Sequence, residues 1–82
     1  MKMFMIVSAK DNLKRWFPVD RIVSISEEAE GTMLASLDKN FKSYSVRSRI
    51  SVTNEDGGTN TYYSMETAEA MVERLELRCM LD

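Results

Sequence analysis

The chain has no histidine, one cysteine and one proline, and no apolar run approaches the ~18 residues of a membrane span. Without histidine, the commonest general base at neutral pH is missing, along with the usual zinc ligand sets. A lone Cys79 excludes an internal disulfide. No serine lies in a nucleophile elbow, and Gly57-Gly58 by itself is neither a phosphate loop nor a dinucleotide fingerprint. Glu27, Glu28 and Glu30 lack the alternating ligands and the glycine of a calcium loop, and read instead as solvated charge beside a turn. The expectation is a protein that binds rather than catalyses, with no cofactor and no metal. The apolar run at residues 3–7 is too short for a signal peptide, so the expected compartment is the reducing cytoplasm, with no membrane partner.

What is present is the composition of a small globular protein. At 82 residues, 44% hydrophobic and 29% charged, the chain supports one core and one domain spanning residues 1–82. Cores of this size are commonly reinforced by disulfides, metals or association. With the first two set aside, association is expected, in the form of a homodimer.

Residues 3–7 are apolar on both faces, which predicts a strand near the centre of a sheet. Asp11-Asn12 falls in a turn, and Trp16-Phe17 forms a short extended piece before Pro18, which lacks the donor that a central strand requires. The β-branched Ile22, Val23 and Ile25 predict a strand over residues 21–27; a turn at Glu30-Gly31 and a strand over residues 33–37 complete a hairpin. Alternation is clearest over residues 43–53, where Tyr44, Val46, Ile50 and Val52 share one face and Ser45, Arg47, Arg49, Ser51 and Thr53 the other. Residues 54–58 form a glycine-bearing loop, and residues 59–64 return as the partner strand. Ser64 is the expected N-cap of a helix with the apolar stripe Ala68, Met71, Val72, Leu75 and Cys79, which makes Cys79 a buried, inert thiol. Glutamates occupy much of the remaining surface, and Arg74 and Arg78 sit towards the C-terminal end, where the helix dipole favours cations. The predicted fold class is α+β, a curved antiparallel sheet of four to five strands with one C-terminal α-helix packed on one face. The other face is then left to solvent or to a partner.

Charge is segregated along the chain. The net charge is only −2, yet residues 39–53 carry Lys39, Lys42, Arg47 and Arg49 without a single acid, between two acidic stretches. Arg47 and Arg49 share a strand face ~7 Å apart, a spacing comparable with that of successive phosphates along a nucleic-acid strand. Guanidinium forks suit phosphate oxygens, and exposed rings stack on unpaired bases. Phe41 and Tyr44 supply rings here, and Lys14, Arg15, Trp16 and Phe17 repeat the combination earlier in the chain. The candidate nucleic-acid-binding residues are therefore Lys14, Arg15, Trp16, Lys42, Tyr44, Arg47 and Arg49, with RNA the favoured ligand. Lys42, Arg47 and Arg49 would take phosphates, and Trp16 or Tyr44 would stack. Of Tyr62 and Tyr63, one must point inward in a regular strand, so at most one adds a platform. The same residues also fit an ordinary solvated strand face with aromatic core and rim packing. A reading of a different class is a protein-binding inhibitor or adaptor acting through the acidic helix or an exposed strand edge.

The compact layout, with seven methionines, no histidine and the N-terminal stretch MKMFMIVSAK, resembles the small accessory proteins encoded by tailed bacteriophages. Such proteins commonly bind host defence, toxin or transcription components, some of them through RNA. The resemblance implies a regulatory protein directed at a host factor in the host cytoplasm.

Overall fold

The computed structural model describes residues 2–35 and 43–80. Its first unit is a hairpin of β1 (Met3–Val7) and β2 (Lys14–Pro18), in which Phe4 faces Phe17 and Ile6 faces Arg15. The turn is built from its own side chains: the Asp11 carboxylate accepts the Leu13 N–H at 3.1 Å, and Asn12 takes φ 59°, a left-handed conformation that asparagine tolerates. Phe4, Ile6 and Phe17 are buried on one face of the hairpin, whereas Trp16, opposite Met5, stands 57% exposed on the other. Among the described residues the end of β1 is tied to the β3-β6-β7 sheet by an isolated bridge between Ser8 and Ser64 and by the Ala9 N–H to Tyr63 C=O bond at 2.9 Å, not by a ladder. It is thus not the central strand expected from its apolar residues. On its second face Met3 and Met5 are only half-buried and Val7 is exposed.

After a 3-10 turn at Val19–Arg21, β3 (Ile22–Glu27) and β4 (Met33–Ala35) follow. They do not form the expected hairpin with each other. β3 pairs antiparallel with β6 (Ser48–Thr53), and β4 pairs antiparallel with β5 (Ser43–Ser45). The two ladders are joined by backbone bonds from Glu28 N–H to Arg47 C=O at 2.9 Å and from Val46 N–H to Thr32 C=O at 3.1 Å. Between Glu27, opposite Ser48, and Met33, opposite Ser45, one arm advances three residues more than the other. The excess is absorbed at residues 29–31, where Thr32 N–H bonds Ala29 C=O and Gly31 takes φ 87°. Glycine and acidic turn chemistry at Glu30-Gly31 therefore bends an arm instead of reversing it. Burial decides between the two outcomes: pairing Ile25 with Ile50 and Ile22 with Val52 places their side chains against the core.

β6 and β7 (Thr59–Ser64) form the expected hairpin, from Ser48 opposite Ser64 to Thr53 opposite Thr59. Its loop is closed by the Asn54 side-chain oxygen, which accepts from Asp56 N–H at 3.0 Å and Gly58 N–H at 2.9 Å. Gly57, at φ 85°, supplies the left-handed residue. The sheet structure is thus three small antiparallel sheets, β1-β2, β3-β6-β7 and β4-β5, rather than one curved sheet. The β1-β2 and β3-β6-β7 sheets meet at three buried serines, Ser8, Ser48 and Ser64, whose small side chains let the strands approach closely. Ser48 is not left unsatisfied there; its hydroxyl donates to the Met71 sulfur at 2.9 Å.

The C-terminal helix α1 (Ala68–Met80) starts later than Ser64 implies. Thr67 is the cap: its hydroxyl accepts the Ala70 N–H at 3.2 Å, and its carbonyl takes the Met71 N–H. Ser64 instead accepts the Glu66 N–H, ordering the turn before the helix. Met71 is fully buried with Phe4, Ile6, Phe17, Ile50 and Val52, and Leu75 packs at the edge of this cluster. The apolar stripe is therefore correct in its centre, though Val72 is exposed; the Cys79 side chain lies outside the described residues. Arg74 does not serve the helix C-terminus. It grips Glu66 through two bonds of 2.7 and 2.8 Å, donates to the Met5 carbonyl at 2.9 Å and lies 4.6 Å over the Phe4 ring. One arginine thus ties the helix to an open edge carbonyl of β1.

Candidate nucleic-acid interface

Strand alternation separates the first predicted cluster. Arg15 shares its side of β2 with Phe17, whereas Lys14 and Trp16 occupy the exposed side. Arg15 lies 5.7 Å from the Tyr62 ring centroid, and Tyr62 packs on Phe17 at 4.8 Å in a tilted arrangement. Tyr62 is therefore the inward ring of the tyrosine pair. Tyr63, opposite Arg49 in the register, belongs to the face turned away from the core.

These placements converge on a cleft of about 240 Å³ lined by Ser8, Lys10, Arg15, Tyr44, Thr61, Tyr62 and Tyr63. It joins a member of each predicted cluster, Arg15 and Tyr44, to both tyrosines of β7. Lys10 was not anticipated from the sequence. It reaches the cleft because the 8–13 turn folds against β7 through Ala9 N–H to Tyr63 C=O at 2.9 Å, a contact that no local pattern announces.

Arg47 and Arg49 lie on the opposite alternation from Val46, Ser48 and Ile50, away from the helix. Arg49 is exposed, and its Nε stands 3.6 Å from a Glu28 carboxylate oxygen, beyond hydrogen-bond range. Arg47 is half-buried and makes no ion pair with a carboxylate among the described residues, and its Nε is buried without an acceptor. The Arg15 Nε is in the same condition, although another nitrogen of that guanidinium bonds Asp11 at 2.9 Å. Such orphaned donors cost about 1–3 kcal/mol each in general and are removed by an acceptor that draws the guanidinium outwards. Around Asp11 the Leu13 N–H, followed by the Arg15 charge, lowers the carboxyl pKa below its ordinary value against an opposing desolvation effect. It remains an ionised competitor for Arg15.

Lys42, with Lys39 and Phe41, lies outside the described residues. Among the described residues no group of three or more carboxylates and thiols is placed to hold a metal, and no helix is long and apolar enough to cross a membrane. No protein-family model matches the chain, and neither does any curated protein or solved structure.

Proposed function

We propose that this protein is a small regulatory protein that binds nucleic acid, RNA in particular, and acts by binding rather than catalysis. The observation that carries the reading is the cleft in which Lys10 and Arg15 stand beside Tyr44, Tyr62 and Tyr63. Cations with adjoining rings are the recipe for holding a strand by phosphate and base together. Tyr63 connects the cleft to Arg49, its cross-strand neighbour, and Arg47 follows on the same face. The resemblance to phage accessory proteins adds a host toxin or defence factor as the regulated target, in the host cytoplasm.

The proposed assembly is a homodimer through the outer face of the β1-β2 hairpin. Trp16 and Val7 are exposed there beside Met5, leaving apolar area that a second copy would cover. This gives Trp16 a role separate from the cleft, from which it points away.

A second reading has an observation of its own. Glu69, Glu73 and Glu76 are exposed along α1 and make no ion pair with a described residue, the surface of an inhibitor for a basic protein. The two are separated by purifying the protein without nuclease and titrating it against labelled single-stranded RNA by fluorescence anisotropy. The RNA reading expects co-purifying nucleic acid that leaves in high salt. It also expects weaker binding when Arg47→Ala is combined with Arg49→Ala, and retained binding when Glu69→Lys is combined with Glu73→Lys. No RNA binding at low salt by the native protein would overturn it.

A further inference from the structure

The cleft is small and three tyrosines are among its lining residues. Its volume, about 240 Å³, falls below the ~300–1,000 Å³ typical of sites for drug-sized ligands. It has room for one flat group with a charged neighbour, and no room for a run of stacked bases. The polar groups are distributed to match: Lys10 and Arg15 are cations, Ser8 and Thr61 offer hydroxyls, and Tyr44 and Tyr63 offer rings not claimed by the Phe17 contact that holds Tyr62. A double helix cannot use such a surface, because its bases are stacked inside and only phosphate and sugar meet a protein concavity. An unpaired base can enter it ring-first.

From this we propose that the cleft takes a single unpaired nucleobase of an RNA strand, stacked against Tyr63 or Tyr44, with an adjoining phosphate held by Lys10 and Arg15. The inference rests on the nucleic-acid reading of the cleft and deepens it: the protein distinguishes single-stranded from duplex RNA. Arg15 is suited to the phosphate because only one of its nitrogens is engaged by Asp11, leaving other donors of the fork unused. Thr61 is exposed and lines the cleft, so its hydroxyl is available to a ribose.

The test uses the full chain and a labelled, unstructured RNA of about 12 nucleotides, alone and annealed to its complement, with anisotropy as the readout. Base stacking on an aromatic side chain is worth about 5- to 150-fold in affinity when the ring is truncated. The single strand is expected to bind tighter than the duplex by a factor in this range, and Tyr63→Ala combined with Tyr44→Ala to remove the difference. Tyr63→Phe should preserve it, because the ring and not the hydroxyl stacks, and it controls for misfolding when paired with far-ultraviolet circular dichroism. Adenosine 5′-monophosphate should displace the labelled strand competitively. Equal affinity for strand and duplex, unchanged in the tyrosine variants, would overturn the single-base cleft while leaving RNA binding standing. Failure of both RNAs to bind would overturn both.

Discussion

Salt dependence tests the proposed interface most directly, because the described residues bring a countable set of charges to it. Among the described residues, Lys10 and Arg15 line the cleft and Arg47 and Arg49 lie beside it on the Tyr63 face, and two of the four face carboxylates, Asp11 at 2.9 Å and Glu28 at 3.6 Å. Those carboxylates stay in place when a strand binds, so the net phosphate-neutralising charge is about two and not about four. For a single strand each neutralised phosphate contributes roughly −0.7 to the slope of log affinity against log salt. The native protein is therefore expected to show a slope of about −1.4, losing about 7-fold in affinity between 50 and 200 mM salt. Combining Asp11→Asn with Glu28→Gln should steepen the slope to about −2.8, a loss of about 50-fold over the same range, with tighter binding at the low-salt end.

Both substitutions keep a side-chain oxygen, so the turn bond from Leu13 N–H survives Asp11→Asn and the backbone around Glu28 is untouched. Anisotropy titrations at five or so salt concentrations resolve slopes that differ by this much. Identical slopes in the two proteins would show that Arg15 and Arg49 do not reach phosphate. A slope near zero in both would remove phosphate recognition altogether, and with it the reading of the cleft as an RNA site.

Three further outcomes follow from packing. Met71→Ala deletes the one fully buried helix side chain among the described residues and strands the Ser48 hydroxyl, so it should cost about 2–5 kcal/mol, lowering Tm by 10 °C or more by differential scanning fluorimetry. Thr67→Ala should cost about 1 kcal/mol in urea denaturation through loss of the cap; an unchanged midpoint would return the cap to Ser64. Trp16→Glu should convert a dimer into a monomer by light scattering without weakening RNA binding per chain, and a native mass of one chain at micromolar concentration would refute the dimer.

How far the fold could be read from the sequence depended on the range of the interaction that decides each element. The β6-β7 hairpin, the period-2 faces of residues 43–53 and the Met71-Leu75 stripe were legible, because alternation, loop chemistry and helical spacing are local and agree with one another. The strand expected at the centre and the hairpin expected at Glu30-Gly31 were not, because each turned on a distant partner. Ile22 and Ile25 gain burial from Ile50 and Val52, far along the chain, and a bend with a positive-φ glycine looks the same in sequence whether the chain reverses or merely bulges. The helix start was displaced for a related reason: Ser64 and Thr67 are both competent caps, and Ser64 is already committed to the junction with Ser8 and Ser48.

The same logic explains what happened to the candidate site. Basic and aromatic residues that are neighbours in sequence are sent to opposite faces by a strand, so Lys14 and Trp16 parted from Arg15 the moment β2 formed. Residues far apart in sequence were brought together instead, since pairing places Tyr63 across from Arg49 and the turn bond at Ala9 carries Lys10 to β7. A linear cluster was thus a guide to composition and a poor guide to geometry. The residues that share the cleft, among them Arg15, Tyr44 and Tyr63, come from three different strands, and it is register and the docking of the 8–13 turn on β7, not a shared parity, that gathers them. It follows that moving Arg15 by one position, by exchanging it with Trp16, should weaken RNA binding although composition and net charge are unchanged. A binder that recognised charge alone would be indifferent to the exchange, and anisotropy on the swapped protein, checked for folding by circular dichroism, separates the two.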